Sequence, residues 1–248
     1  MKIAGFVKFY NESINNNLDR CLKQLSKYTD YIVCCDDSSN DNSREIALKY
    51  TKDIITMPND FKAELLHKQK LLKYLLKKYS DTDFIIHLDP DEILSDPSKV
   101  KDLCAKMIEN KFNGLRIHLI NLWLSEYWYR IDDKFNDLWK TIIWRNNGKL
   151  KYESIKQLHM PMHPSGIDKI GVVSSEVLQI YHYGFSTPEL IARKYKTYQS
   201  LGQSGWNLER LKPTRKASLI PLYKGKKYSK PNKLSEKQWI KYLNNIIL

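Results

Sequence analysis

Four cysteines in 248 residues, with no Cys-x-x-Cys pair among them, give no disulfide framework and no thiolate zinc centre. Cys34 and Cys35 sit inside an apolar run, where a thiol behaves as a small hydrophobe, and Cys21 and Cys104 read as reduced and structural too. No stretch approaches the roughly 18 to 20 apolar residues that a membrane span requires. The first twenty residues lack the basic, apolar and small-residue order of a secretory leader, so the expected location is cytoplasmic. The segment after the first apolar run, FYNESINNN, contains no glycine, which excludes a glycine-rich phosphate loop there. Internal repeats are absent as well.

What is present is a chain that is 42% hydrophobic and 28% charged, enough for one sizeable core or one domain with a small appendage. The net charge is +13, and it is unevenly placed. Residues 193–241 hold 14 Lys or Arg against Glu209 and Glu236, a net of +12, whereas the remainder nets +1. This basic C-terminal region reads either as a solvated lysine-rich tail or as an attractor for an anionic partner such as phosphate, nucleic acid or a membrane surface.

The periodicity alternates. KIAGFVKF is an opening strand, and a helix over about 14–27 carries Leu18, Cys21, Leu22 and Leu25 on one face. TDYIVCCDD, DIITMP and DFIIHLD read as further strands. SSNDNSREIALKY, with Ser39 and Asp41 as caps, and FKAELLHKQKLLKYLLKKY read as the helices between them. This βαβαβαβ order predicts a mostly parallel sheet flanked by helices, whose ligands bind beyond the carboxyl ends of the strands. Beyond it come a helix at about 96–110, a strand NGLRIHLINLW, and a small antiparallel hairpin in which WKTIIWR and KLKYE flank an Asn-Asn-Gly turn. A strand in SEVLQIYHYGF and a helix at about 188–200 follow, and from about 205 the composition predicts loops and short helices packed on the domain. Trp123, Tyr127, Trp128, Tyr129, Trp139 and Trp144 form either a packed lid or a platform on which sugars stack.

Both acidic clusters fall at strand ends. Asp89 and Asp91, in HLDPDEI, form a D-x-D that offers hard oxygen donors to Mg²⁺ or Mn²⁺, with Glu92 beside them. Asp36, in DDSSND, is placed to accept hydrogen bonds from a nucleobase or ribose, and Asn11 and Glu12 end the first strand. The joint pattern of strand, N-E, strand, D-D-x-S-x-D, helix, strand, D-x-D-E resembles the nucleotide-binding half of family 2 glycosyltransferases, the GT-A fold. Residues 3 to about 110 carry it, and WRNNGKLKYES with a following His-containing loop extends it over about two-thirds of the chain.

The resemblance implies that Asp36 faces the base, that Asn11 and Glu12 line the same pocket, that Asp89 lies near the ribose and that Asp91 holds the metal. Lys68 stands where the family often has Arg, keeping the charge without the bidentate fork. It also implies an imidazole completing the metal shell, for which His159, His163 and His182 are available, with His159 and His182 preferred; His87 and His118 read as structural. A carboxylate base is implied too, and Asp132, Asp133 and Asp137 are the candidates, Asp137 preferred, with Glu126 behind them.

The expected organisation is a catalytic domain over 1–204, with a nucleotide-sugar half at 1–110 and an acceptor and metal half at 111–204, followed by a basic extension at 205–248. The expected activity is divalent-metal-dependent, inverting transfer from a UDP- or dTDP-sugar to a hydroxyl of a glycan, a lipid-linked sugar or modified nucleic acid, DNA included. Oligomeric state is left open. Two other readings compete: a nucleotidyltransferase, which would want the missing glycine loop, and a non-enzymatic nucleic-acid-binding module built on the basic C-terminus.

Overall fold

Apolar runs bounded by polar breaks fold into strands covered on both faces, as parallel sheets require. A computed structural model describes residues 1–132, 135, 137–152, 163–223 and 228–246. Its first half alternates β1 (Ile3–Phe9), α1 (Asn17–Leu25), β2 (Tyr31–Asp36), α2 (Ser43–Leu48), β3 (Ile54–Thr56), α3 (Glu64–Lys78) and β4 (Phe84–His87). Next come β5 (Glu92–Leu94), α4 (Val100–Glu109), β6 (Gly114–Asn121), β7 (Trp128–Arg130), β8 (Leu138–Arg145), β9 (Ile170–Val172) and β10 (Gln179–His182). The chain ends in α5 (Pro188–Ser200), α6 (Trp206–Glu209), β11 (Leu219–Pro221) and α7 (Glu236–Asn245).

Among the described residues, nine strands form one sheet in the order β3-β2-β1-β4-β8-β6-β10-β5, with β9 paired to β6. β1 pairs in parallel with both β2 and β4, β2 with β3 and β6 with β9, whereas β8 runs antiparallel to β4. The expected fold class, a mostly parallel sheet flanked by helices with a small antiparallel piece, is thus observed.

The antiparallel piece lies elsewhere than expected. WKTIIWR is indeed a strand, but it pairs with β4, and past Asn146-Asn147-Gly148 the described chain forms only an isolated bridge between Lys151 and Ser165. The small antiparallel sheet is β7 with β11. Glu92, expected just before a helix, begins the edge strand β5 instead. That edge is closed by Gln24 of α1, whose side-chain amide donates to the Leu94 carbonyl at 2.9 Å and accepts from the Leu94 N–H at 2.7 Å. An exposed ladder edge is thereby covered.

The chain groups into two units, Met1–His118 with Trp139–Ile180, and Leu119–Leu138 with Tyr181–Leu248. In the first, α3 buries Leu71, Leu72 and Leu75 with Phe6, Val33, Ile85 and Trp144. In the second, Trp123, Phe135, Phe185, Ile191, Leu211 and Trp239 form a separate core. The basic C-terminal segment therefore supplies core residues. Its last helix carries a reciprocal capping box between Ser235 and Gln238. Among the described residues, no helix is long and apolar enough to cross a membrane.

Candidate active site

Because β2, β1 and β4 are adjacent and parallel, their carboxyl ends share one rim. Phe9 is level with Asp36, and Phe6 is level with His87. The loops leaving β1, β2 and β4 therefore open on the same side, and each carries expected site residues.

The loop after β1 is rich in asparagine for a conformational reason. Asn11, Asn15 and Asn16 all take positive φ, which asparagine tolerates better than other residues with a Cβ. It is tied to the loop after β2: the Asn11 N–H donates to Ser39 Oγ at 3.0 Å, and the Asn11 and Asn40 groups exchange two further bonds at 2.7 and 2.9 Å. The Glu12 N–H donates to Ser43 Oγ at 2.6 Å, and Ser13 bonds Asp41 through both its N–H and its hydroxyl. Asn42 rather than Ser39 or Asp41 occupies the N-cap of α2, although Asp41 does accept from the Ser43 N–H at 2.9 Å.

The two aspartates ending β2 have different environments. Asp36 is buried, accepts from the Ser39 N–H at 2.8 Å and pairs with Arg44 at 3.2 Å, with the guanidinium half exposed. Asp37 is consumed internally, since Lys8 Nζ lies 2.5 Å from it and His67 Nδ1 3.0 Å. Lys68, on α3, is buried and paired with Glu64 at 2.7 Å. Burial would raise the Glu64 carboxyl, but the Lys68 ammonium outweighs it and holds the group below its ordinary value.

The D-x-D loop contains a cation supplied by the chain. Lys140, from the middle of β8, places Nζ 2.8 Å from Asp89 Oδ2 and 2.6 and 2.8 Å from the two oxygens of Glu92. Glu92 Oε2 also accepts the Asp89 N–H at 3.0 Å. Burial works against every charge here, yet Asp89 is held well below the usual carboxylate range by Lys140, then His87 and Lys68. Lys140 is correspondingly raised above the usual lysine value, because Asp89 and Glu92 outweigh its own desolvation. Asp91 is buried beside them. His87 packs edge-on to Phe6 at 5.4 Å with Nε2 3.7 Å from Asp89, and His118 lies 4.9 Å from Trp139.

In the second unit, His182 Nδ1 lies 2.6 Å from Asn121 Oδ1 and Nε2 lies 3.2 Å from Lys194 Nζ. An ammonium can only donate, so Nε2 accepts from it and Nδ1 carries the proton. Asp132 is gripped by Arg130 through two bonds of 2.9 and 2.7 Å and accepts the Ser218 N–H. Although burial opposes it, Arg130 keeps this carboxyl below its ordinary value. Asp137 is exposed. His159 and Asp133 lie outside the described residues, and His163 Nδ1 lies 3.1 Å from the Pro164 carbonyl oxygen. Among the described residues, no group of three or more His, Cys, Asp and Glu gathers as for a metal ion.

The aromatic segment divides. Trp123 and Trp144 are core, whereas Tyr127 is exposed and stacks on Tyr228 at 3.9 Å. Sequence reasoning missed Lys140, Arg44, Lys8 and His67. Lys140 had a signal, a lone lysine inside the strand LWKTIIWR.

Residues 6–163 match the family model described as glycosyl transferase family 2. No curated protein sequence matches the chain. The structure of Staphylococcus aureus TarS residues 1–349 is 15% identical, with a TM-score of 0.50 over 86% of this chain and 69% of that one. Full TarS is 16% identical with a TM-score of 0.51, and the alignment covers 86% of this chain but only 42% of TarS. Glucosyl-3-phosphoglycerate synthase from Mycobacterium tuberculosis, in complex with Mn²⁺ and UDP-glucose, is 15% identical with a TM-score of 0.33, over 48% of this chain and 43% of that one. At such identities the TarS likeness speaks to fold, and the fold is GT-A. With well over half its length matched, the chain belongs to glycosyl transferase family 2.

Proposed function

We propose that the chain moves a sugar from a nucleoside-diphosphate donor, a UDP- or dTDP-sugar, to an acceptor hydroxyl, with inversion and with Mn²⁺ or Mg²⁺. The observation that carries this reading is the shared rim, where buried Asp36 and the Asp89-Pro90-Asp91 loop leave strands that flank β1. Asp36 accepts a hydrogen bond from the base, and Asn11 and Glu12 line that pocket. Asp89 lies by the ribose, and Lys68 adds positive potential toward the phosphates. Residues 1–110 then form the donor half, 111–204 the acceptor half, and 205–248 the basic extension.

Metal fit is judged on the donor set. We assign Asp91, buried in the same loop as the Lys140-bound Asp89 and Glu92, as the hard-oxygen ligand. One or two carboxylates suffice for Mg²⁺ when substrate phosphates and water complete the shell. When bound, the ion neutralises charge on the departing diphosphate.

The chain's own base takes the acceptor's proton as the hydroxyl oxygen bonds the anomeric carbon and the bond to the diphosphate breaks. Asp137, an exposed carboxylate beside β8, is our assignment. The test is release of nucleoside diphosphate from a panel of UDP-, dTDP- and GDP-sugars with Mn²⁺. Release from one donor that is abolished in Asp91→Ala is expected. No release from any donor, or release unchanged in that variant, contradicts the reading.

A further inference from the structure

A cavity with a basic lining lies within the second unit. It encloses about 190 Å³ and is lined by ten residues, of which Arg215, Lys216, Lys230 and Lys233 are cationic and none is acidic. Leu219 and Trp123 contribute to its apolar wall. None of the four cations forms an ion pair among the described residues, unlike Lys212 nearby, which is bound to Glu209 at 2.6 Å.

Arg215 is the fixed element. Its guanidinium carbon sits 4.2 Å from the Trp206 ring centroid, so stacking on the indole sets the orientation of the group. Its Nη1 is buried and has no hydrogen-bond partner among the described residues. The chemistry that the lining as a whole suits is an oxyanion: a guanidinium edge meets two oxygens, and neighbouring ammoniums neutralise the rest. Four cations against no acid suit a phosphate, with its greater charge and extra oxygen, better than a carboxylate. The cavity is smaller than the roughly 300 Å³ at which small-molecule sites begin, so it takes one group of a larger ligand.

We propose that this cavity binds a phosphate group of a larger ligand whose apolar part lies on the Leu219 and Trp123 wall. As a phosphate site it stands apart from the glycosyl-transfer reading.

The test is calorimetric titration of the full chain with glycerol 3-phosphate at low salt, with glycerol as the neutral control. Saturable binding of the phosphate ester alone is expected. It should weaken about tenfold or more in Arg215→Gln, the loss expected for a charge-assisted contact. The double variant Lys230→Gln with Lys233→Gln, which leaves the buried group untouched, should also weaken it and guards against misfolding of the first. Asp36→Asn and Asp91→Asn should bind the ester as wild type does. Equal binding in the cavity variants, no binding by wild type, or binding only to phosphatidylglycerol vesicles or to a single-stranded oligonucleotide would overturn the proposal. Intact ester binding in a protein that ignores every nucleotide sugar would instead sink the donor reading and leave a phosphate site without transfer.

Discussion

At the scale of single residues, Lys140 decides how the acidic loop exists at all. Three carboxylates within four positions would repel one another, and an ammonium from β8 holds two of them. Replacing Lys140 by Met should cost about 3–5 kcal/mol in chemical denaturation, because Asp89 and Glu92 are then left without their cation. The pH dependence follows from the signs. Asp89 has a folded pKa below the unfolded value of about 3.9, so its contribution is complete above that value and is lost as pH falls beneath it. Lys140 is raised above about 10.4, so its share is complete below that value and is lost as pH climbs past it. The stability gap between wild type and Lys140→Met should therefore narrow as pH falls below about 4, and a gap that widens there in denaturant melts would contradict this. Asp36→Asn should weaken UDP binding about 10- to 100-fold, the loss of one hydrogen bond to a charged acceptor, as read by calorimetry. Stability should fall by less than about 1 kcal/mol, since the Arg44 partner is half exposed. The positions of Asp36 and Asp89 at or just past strand ends were legible in the sequence because each follows an apolar run directly. The Lys140 pairing was not, because its partners lie 48 and 51 positions away and only the sheet order brings them together.

At the scale of elements, long periodic segments were legible, as were the short β3 and α2, whereas other short ones were not. α3 and α5 stand close to where their patterns place them, since an apolar face at spacings of three and four has one helical solution. The three-residue strands β5, β9 and β11 carry too few residues to show a period. The hairpin failed for a related reason: Asn-Gly chemistry favours a tight turn, but the antiparallel ladder of β8 goes to β4 rather than to the chain that follows it. Capping is testable at this scale. Ser235→Ala should lower stability by about 0.5–2 kcal/mol, and Ser235→Gly by only a few tenths. Equal losses in denaturant melts would mean that the Ser235 hydroxyl does not cap α7. Gly166 is a second point of leverage, with φ of +88° and a position where a Cβ would lie 2.5 Å from the Lys149 carbonyl oxygen. Gly166→Ala should therefore destabilise by roughly 1–3 kcal/mol.

At the scale of the whole molecule, charge and thiols report on different parts of the chain. The basic C-terminal region was legible as a composition shift, but its contribution to a core through Leu211 and Trp239 was not, because lysines dominate its average. Lys224, Lys226 and Lys227 lie outside the described residues. All four cysteines are buried in the first unit, and burial raises every thiol, Cys104 to about 12. They should resist thiol reagents at pH 8 in the native state and all react once denaturant unfolds that unit. Fast labelling of native protein would contradict the packing of the sheet.

The claim on which the account turns is that the rim at the ends of β2 and β4 holds a nucleoside diphosphate and its metal. The most direct measurement is thermal unfolding of wild type, Asp36→Asn and Asp91→Asn with Mn²⁺, a panel of nucleotide sugars, and both together. Ligand bound only by the folded state raises the apparent melting temperature. The account predicts an upward shift with one diphosphate sugar that requires Mn²⁺ and disappears in both variants. No shift with any donor, or a shift that survives both substitutions, would contradict it.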